Sequence, residues 1–315
     1  LWFTRLLPER SLRARAQPEA ALNEALLRQE GREETAPETR ARMSALIAGC
    51  SLESTARQRS IAEACAAPLA HGTSVYITAL PGDAPGAMIE GATRLWKAGL
   101  NPVPHLGARY FVGADELDAC LARLVAEAGV RQVLAIGGDI DRPRGSFASS
   151  HDLIMTGLLE KHGIARVGLA AYPEGHKCIP PKLLDEELAA KIAMLRERGL
   201  APYMVTQFCF EAGPIEKVLT RLATDFPDVP VHIGLAGPAK VSTLLKYAAA
   251  CGIGTSLRAL SRRMSLGKLL AESGPEPIIA ALARSTHASR RIARLHFFTF
   301  GGIRRTAERA ATLTR

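Results

Sequence analysis

Aromatic residues are scarce, at 5% of this 315-residue chain, which argues against a stacking platform for single-stranded nucleic acid. The six cysteines form no close pair: Cys50, Cys65, Cys120, Cys178, Cys209 and Cys251 stand at least fifteen residues apart. Without a CxxC or CxxH pair, a zinc or iron–sulfur centre has no support, and no metal is expected. Thiols scattered through apolar segments of a large chain read as reduced and mostly buried. No apolar run approaches the roughly eighteen residues that a membrane span needs. A GxGxxG fingerprint and a Walker phosphate loop are both missing, so a dinucleotide-binding sheet of that type is unsupported.

What is present suits a folded enzyme. Apolar residues make up 47% and charged residues 23%, and the 27 glycines and 19 prolines are spread along the chain. Those figures exclude wholesale disorder, a collagen-like repeat and a small disulfide-stapled scaffold. The length suits one large domain or two ordinary ones. Lysine and arginine (40) exceed aspartate and glutamate (31), and the excess is local. From Arg284 onward there are eight arginines and one acid, Glu308. No nucleic-acid motif accompanies this basic C-terminal helix, so no nucleic-acid partner is expected. The opening LWFTRLLPERSLRARAQ is arginine-rich but lacks the apolar stretch and small-residue cleavage site of a secretory signal. Glu9 and Glu19 count against a transit peptide, and the expected location is cytoplasmic.

Residues 1–46 read as a polar, helix-prone extension: one helix, a loop at Gly31–Pro37, then a second helix. From there to residue 315 short apolar runs alternate with longer amphipathic stretches. The runs are CSLEST (50–55), TSVYITAL (73–80), NPVPHLG (101–107), RQVLAIGG (131–138), ARVGLAAYP (165–173), PYMVTQFCF (202–210), PVHIGLAG (230–237) and RLHFFTF (294–300). Strands of four to eight residues between helices of ten to fifteen are the βα pattern of a parallel sheet. Eight such units over about 250 residues predict a (β/α)8 TIM barrel, whereas a doubly wound sheet spends fewer strands per domain. One helix is predicted over Ser150–Lys161, and extra helices before the last strand.

In a barrel, chemistry sits at the C-terminal strand ends. Polar residues cluster there: Glu53, Thr78, His105, Asp139, Tyr172, Glu174, His176, Thr206, Gln207 and Glu211. Each also has an ordinary reading. Glu53 facing outward would pair with an arginine, Asp139 would be a turn residue, His105 a satisfied core histidine, and Gln207 a strand-end cap. An acid inside an apolar strand is nonetheless costly unless used or paired. GLAGPAKV (234–241) places Gly237 and Pro238 at an expected helix start, where backbone N–H groups can hold an anion.

Taken together these segments resemble the methylenetetrahydrofolate reductase family over roughly residues 50–303. SLEST (51–55) is similar to its first strand, with the catalytic glutamate falling on Glu53. NPVPHLGAR (101–109), GGD (137–139), AAYPEGH (170–176), VTQFCF (205–210) and RLHFFTF (294–300) resemble later strand ends in order. The resemblance implies hydride transfer from NADH or NADPH, through FAD, to 5,10-methylenetetrahydrofolate, a tetrahydrofolate-type substrate. It implies catalytic roles for Glu53, Asp139 and Gln207. It also implies cofactor contacts from Thr78, His105, Gly138, Asp139, Ala148, Tyr172 and His176. Glu53, in a dry barrel mouth, is expected to have a raised pKa and to protonate N10 of the folate.

Departures touch the cofactor. The family's Arg-Gly-Asp reads GGD here, so Gly137 replaces the arginine. Lys177, Lys182, Lys191 and Arg196 are the candidate replacements for its basic residues facing the flavin diphosphate. Gly302 takes the place of a folate-contacting arginine, with Arg304 or Arg305 as substitutes. Alternatives are a flavin-independent or oxidatively running folate C1 oxidoreductase, and a non-catalytic folate- or flavin-binding barrel. The sequence leaves homo-oligomer formation open.

Overall fold

A computed structural model describes residues 36–80, 83, 86–253 and 272–314. The first helix predicted near the N-terminus lies outside the described residues; the second is helix α1 (Ala36–Ile47). Arg40–Arg315 form one compact unit.

Eight parallel strands close into a barrel: β1 (Ser51–Thr55), β2 (Ser74–Thr78), β3 (Asn101–Gly107), β4 (Gln132–Ile136), β5 (Arg166–Ala171), β6 (Ala201–Thr206), β7 (Val231–Ala236) and β8 (Ile292–Phe298). Each strand pairs with its sequence neighbours, and β1 closes the ring on β8 through Ser51↔His296 and Leu52↔Phe297. The fold is thus the (β/α)8 barrel expected. Strand residues alternate, one set facing the interior and the other the surrounding helices. The helix after β3 (Ala114–Ala128) shows the outer layer's logic: Leu117, Leu121 and Leu124 recur on one face and are buried, and Gly129 ends the helix at φ +59°. Each such leucine contributes about 1.5–3 kcal/mol by leaving water.

Three local readings differ from the sequence expectation. The single helix over Ser150–Lys161 is two, Ser150–Met155 and Leu158–Lys161, because Gly157 between them adopts φ +73°. The helix expected at Gly237–Pro238 begins instead at Val241; the Gly237 N–H donates to the Phe298 carbonyl (2.9 Å) and Pro238 has no N–H, so neither position offers a donor to an anion. The cysteines are less uniformly buried than expected: Cys209 is buried, Cys178 is exposed and the other four lie between.

The helix Val241–Cys251 lies across the C-terminal rim. Tyr247 stacks on Phe300, with ring centroids 4.1 Å apart and planes 15° from parallel. Lys177, in the loop after β5, donates to the Ala250 carbonyl (3.2 Å). The extra helices expected before the last strand are present as Glu276–Arg284 and Thr286–Arg291.

Candidate active site

Glu53 points into the barrel from the middle of β1, its side chain 19% exposed. Two histidines face it. His296 on β8 brings Nε2 to 3.5 Å from Glu53 Oε2, and His105 on β3 brings Nε2 to 4.0 Å from the same oxygen. Each imidazole is held at its other nitrogen by a hydroxyl: Ser51 Oγ lies 3.0 Å from His296 Nδ1, and Thr78 Oγ1 lies 2.9 Å from His105 Nδ1. A carboxylate only accepts, so a neutral His296 donates through Nε2 to Glu53 and accepts from Ser51 at Nδ1. Tyr76 packs its ring against both histidines, at centroid distances of 4.4 Å to His296 and 5.8 Å to His105. Thr299 fixes the glutamate's backbone by donating to the Glu53 carbonyl (2.6 Å).

The electrostatics correct one expectation. Burial by itself drives the Glu53 pKa up, but the hydrogen bond from His296 and the fields of His105 and His296 outweigh it and hold the carboxyl below its ordinary value. Glu53 is therefore a carboxylate in the free protein, not a ready-made acid. Burial lowers His105 to about 4, against the pull of Glu53, so that imidazole is neutral at physiological pH. Its Nε2 is buried without a hydrogen-bond partner, an unmet polar atom aimed at the carboxylate's surroundings.

Asp139 follows β4, where Gly138 makes the turn at φ +98°, and its backbone N–H donates to the Tyr110 hydroxyl (3.1 Å). The Asp139 charge reaches His105, Tyr172 and His176, raising each of their pKa values against or with the effect of burial. It also reaches Cys251 of the rim helix, as Glu53 does. Tyr172 and His176 meet edge to face, with centroids 5.1 Å apart. Ala148 is fixed by its backbone, accepting from Arg109 Nε (2.8 Å) and donating to Asp152 (2.8 Å) beside a capping box.

Gln207 stands on the wall at the end of β6, its Oε1 accepting from the Phe208 N–H (3.1 Å). No hydrogen bond joins it to Glu53 or Asp139 among the described residues. The neighbouring Gly234 is required by close approach, since a Cβ there would run into the Thr206 carbonyl and the Phe298 ring. Glu53, Thr78 and His105 thus touch or nearly touch, Asp139, Tyr172 and His176 join them through the field, and Gln207 faces them from β6. Ser51 and His296 were not singled out in the sequence. Their signal was a serine two residues before the glutamate and a histidine inside an apolar strand.

Among the basic residues considered for a diphosphate, Arg196 is paired with Asp228 (2.6 Å) at the foot of the barrel. Lys191 meets Glu187 (3.7 Å) and Ser150 (3.4 Å), and Lys182 meets Glu186 (3.7 Å). Arg305 is tied to Glu272, leaving Arg304 exposed; Gly302, at φ +103°, holds a conformation that an arginine rarely adopts.

A family model described as methylenetetrahydrofolate reductase matches residues 77–304. The chain belongs to that family. The match takes in seven of the eight strands wholly or in part, together with His105, Asp139, Gln207 and His296; β1, with Ser51 and Glu53, lies before it. Membership makes this a folate-related oxidoreductase of one-carbon metabolism.

Proposed function

We propose that the protein reduces 5,10-methylenetetrahydrofolate to 5-methyltetrahydrofolate with a hydride from NADH or NADPH. The observation that carries this reading is the buried carboxylate of Glu53 between two imidazoles, each anchored by a hydroxyl. Opening the folate's five-membered ring requires a proton on N10 and leaves an iminium at N5, whose methylene carbon then accepts the hydride. The balance is one hydride and one proton consumed per methyl group formed.

Glu53 is the group that moves the proton. A pterin seated against it removes the remaining water and favours the neutral carboxylic acid, which donates to N10. The proton that restores the acid between turnovers comes from water at the barrel mouth, while His296, donating through Nε2, holds the Glu53 oxygen in place. His105 stays neutral and offers its unmet Nε2 to a ring N–H of a bound ligand. Asp139 places negative charge where the iminium develops. Gln207 has both a donor and an acceptor with which to read the pterin edge. A flavin, when bound, would relay hydride between nicotinamide and folate, its ring held by Thr78, His105, Tyr172 and His176, with Gly138 and Ala148 presenting backbone and Lys177 facing its diphosphate.

A second reading, direct transfer from nicotinamide to folate, is favoured by the pairing of Lys182, Lys191 and Arg196 with carboxylates. Titration of the purified protein with FAD, followed by absorbance, separates the two. A bound flavin supports the relay, and its absence with intact folate turnover supports direct transfer. Loss of folate turnover under both conditions would overturn the reductase reading itself.

A further inference from the structure

At the opposite end of the barrel from Glu53, the interior carries positive charge without a counter-charge. The lowest inward positions are Ser74, Asn101, Gln132, Arg166 and Arg294, where a (β/α)8 barrel ordinarily packs branched apolar side chains. Above them lies a plug of Tyr76, Tyr203 and His232. The Tyr76 hydroxyl donates to Tyr203 (3.2 Å) and lies 3.4 Å from His232 Nδ1, Gln132 donates to Tyr76 (3.3 Å), and Tyr203 donates to the Val133 carbonyl (3.0 Å). The plug is satisfied internally.

The two arginines are not. Arg166 lies over the Tyr203 ring, 5.3 Å from its centroid, and Arg294 donates once to Ser74 (3.2 Å). Both are partly buried, and neither meets a carboxylate among the described residues. Glu53 is the only acid in the eight strands, and it is engaged by histidines at the other end. Both guanidinium charges reach His232, which burial and these charges together hold down at about 3. A guanidinium has five N–H donors, and most of these ten are unspent. β5 and β8 are three strands apart in a ring of eight, and the charges of both arginines act on the same two plug residues, Tyr76 and His232. Ser74 already accepts from Arg294 and from Asn101 (3.1 Å), which turns its own hydroxyl proton toward the same space.

We propose that Arg166 and Arg294, with Ser74 and Asn101, form a binding site for a small phosphate-class oxyanion at the N-terminal mouth of the barrel. Two guanidinium forks match a tetrahedral oxyanion's edges, and burial strengthens such charge-assisted bonds. The site is separate from the folate chemistry and does not rest on that reading.

The test is isothermal titration of the full chain with inorganic phosphate against sodium chloride of equal ionic strength. The expected result is saturable binding of one phosphate, weakened at least about tenfold by Arg166→Gln and by Arg294→Gln, as expected for losing a hydrogen bond to a charged group. Arg123→Gln, on an outer helix where Arg123 pairs with Glu127 (2.7 Å), leaves it unchanged. Ser74→Ala, which removes only a hydroxyl, gives a smaller weakening and keeps the test open if an arginine variant fails to fold. Phosphate binding no stronger than chloride, or full binding retained in both the Arg166 and the Arg294 variants, would overturn the proposal.

Discussion

Ser51 and His296 are 245 residues apart in sequence, yet their side chains meet at 3.0 Å and set the orientation of the ring that faces Glu53. This contact exists because β1 and β8 close the barrel in the register Ser51↔His296. If His296 holds the Glu53 carboxylate in its reactive position, His296→Asn should lower kcat by about tenfold or more, the scale of losing a hydrogen bond to a charged group. Folate KM should change little. A rise in KM with kcat unchanged would assign His296 to packing alone.

Acid should destabilise the protein through its buried histidines. The folded-state pKa of His105 is about 4 and that of His232 about 3, both below the ordinary value, with burial the leading cause. Between that ordinary value and the folded pKa the unfolded chain binds protons that the folded chain does not. Stability is thus fully present above about pH 6.5 and falls as pH drops toward 4. The lowered pKa of Glu53 adds loss in the same direction, beginning below the ordinary carboxylate value. Melting temperature measured from pH 7.5 to 4 should fall, and His105→Gln should flatten part of the slope. A wild-type profile level down to pH 4 would contradict this.

Gly234→Ala should cost about 1–3 kcal/mol, as expected for overpacking against backbone. The added Cβ meets the Thr206 carbonyl, and the Gly234 N–H bond to Thr206 Oγ1 (2.9 Å) would stretch with it. Displacing the end of β6 should also raise the folate KM through Gln207. Denaturant unfolding and folate kinetics on one preparation measure both effects.

Gln207→Glu replaces a donor with a charge on the wall facing the folate. Folate KM should rise by tenfold or more, the scale of losing one paired polar contact, with nicotinamide KM nearly unchanged. Equal effects on both substrates would move Gln207 out of the folate-reading role.

The barrel was legible because every inner strand is a short apolar run bounded by glycine, proline or a polar break, as in VLAIGG (133–138) and VGLAAYP (167–173). Glu53 was legible as an acid in such a run. Its charge state was not, because the two imidazoles that hold it arrive from β3 and β8, and nothing local to SLEST marks them. Lys182, Lys191 and Arg196 looked available for a diphosphate, yet the partners of the first two lie on the same helix and that of Arg196 precedes β7. The helix Val241–Cys251 reads like any helix that wraps a barrel; its place on the rim depends on the Tyr247–Phe300 stack and the Lys177 bond, both tertiary.

The most direct test of the central claim is single-turnover hydride transfer in Glu53→Gln, with reduced nicotinamide and methylenetetrahydrofolate followed separately. Formation of 5-methyltetrahydrofolate should fall by about 10²–10⁴-fold while nicotinamide binding is retained, because the amide keeps the shape and loses the proton. Wild-type rates of 5-methyltetrahydrofolate formation in that variant would contradict the account.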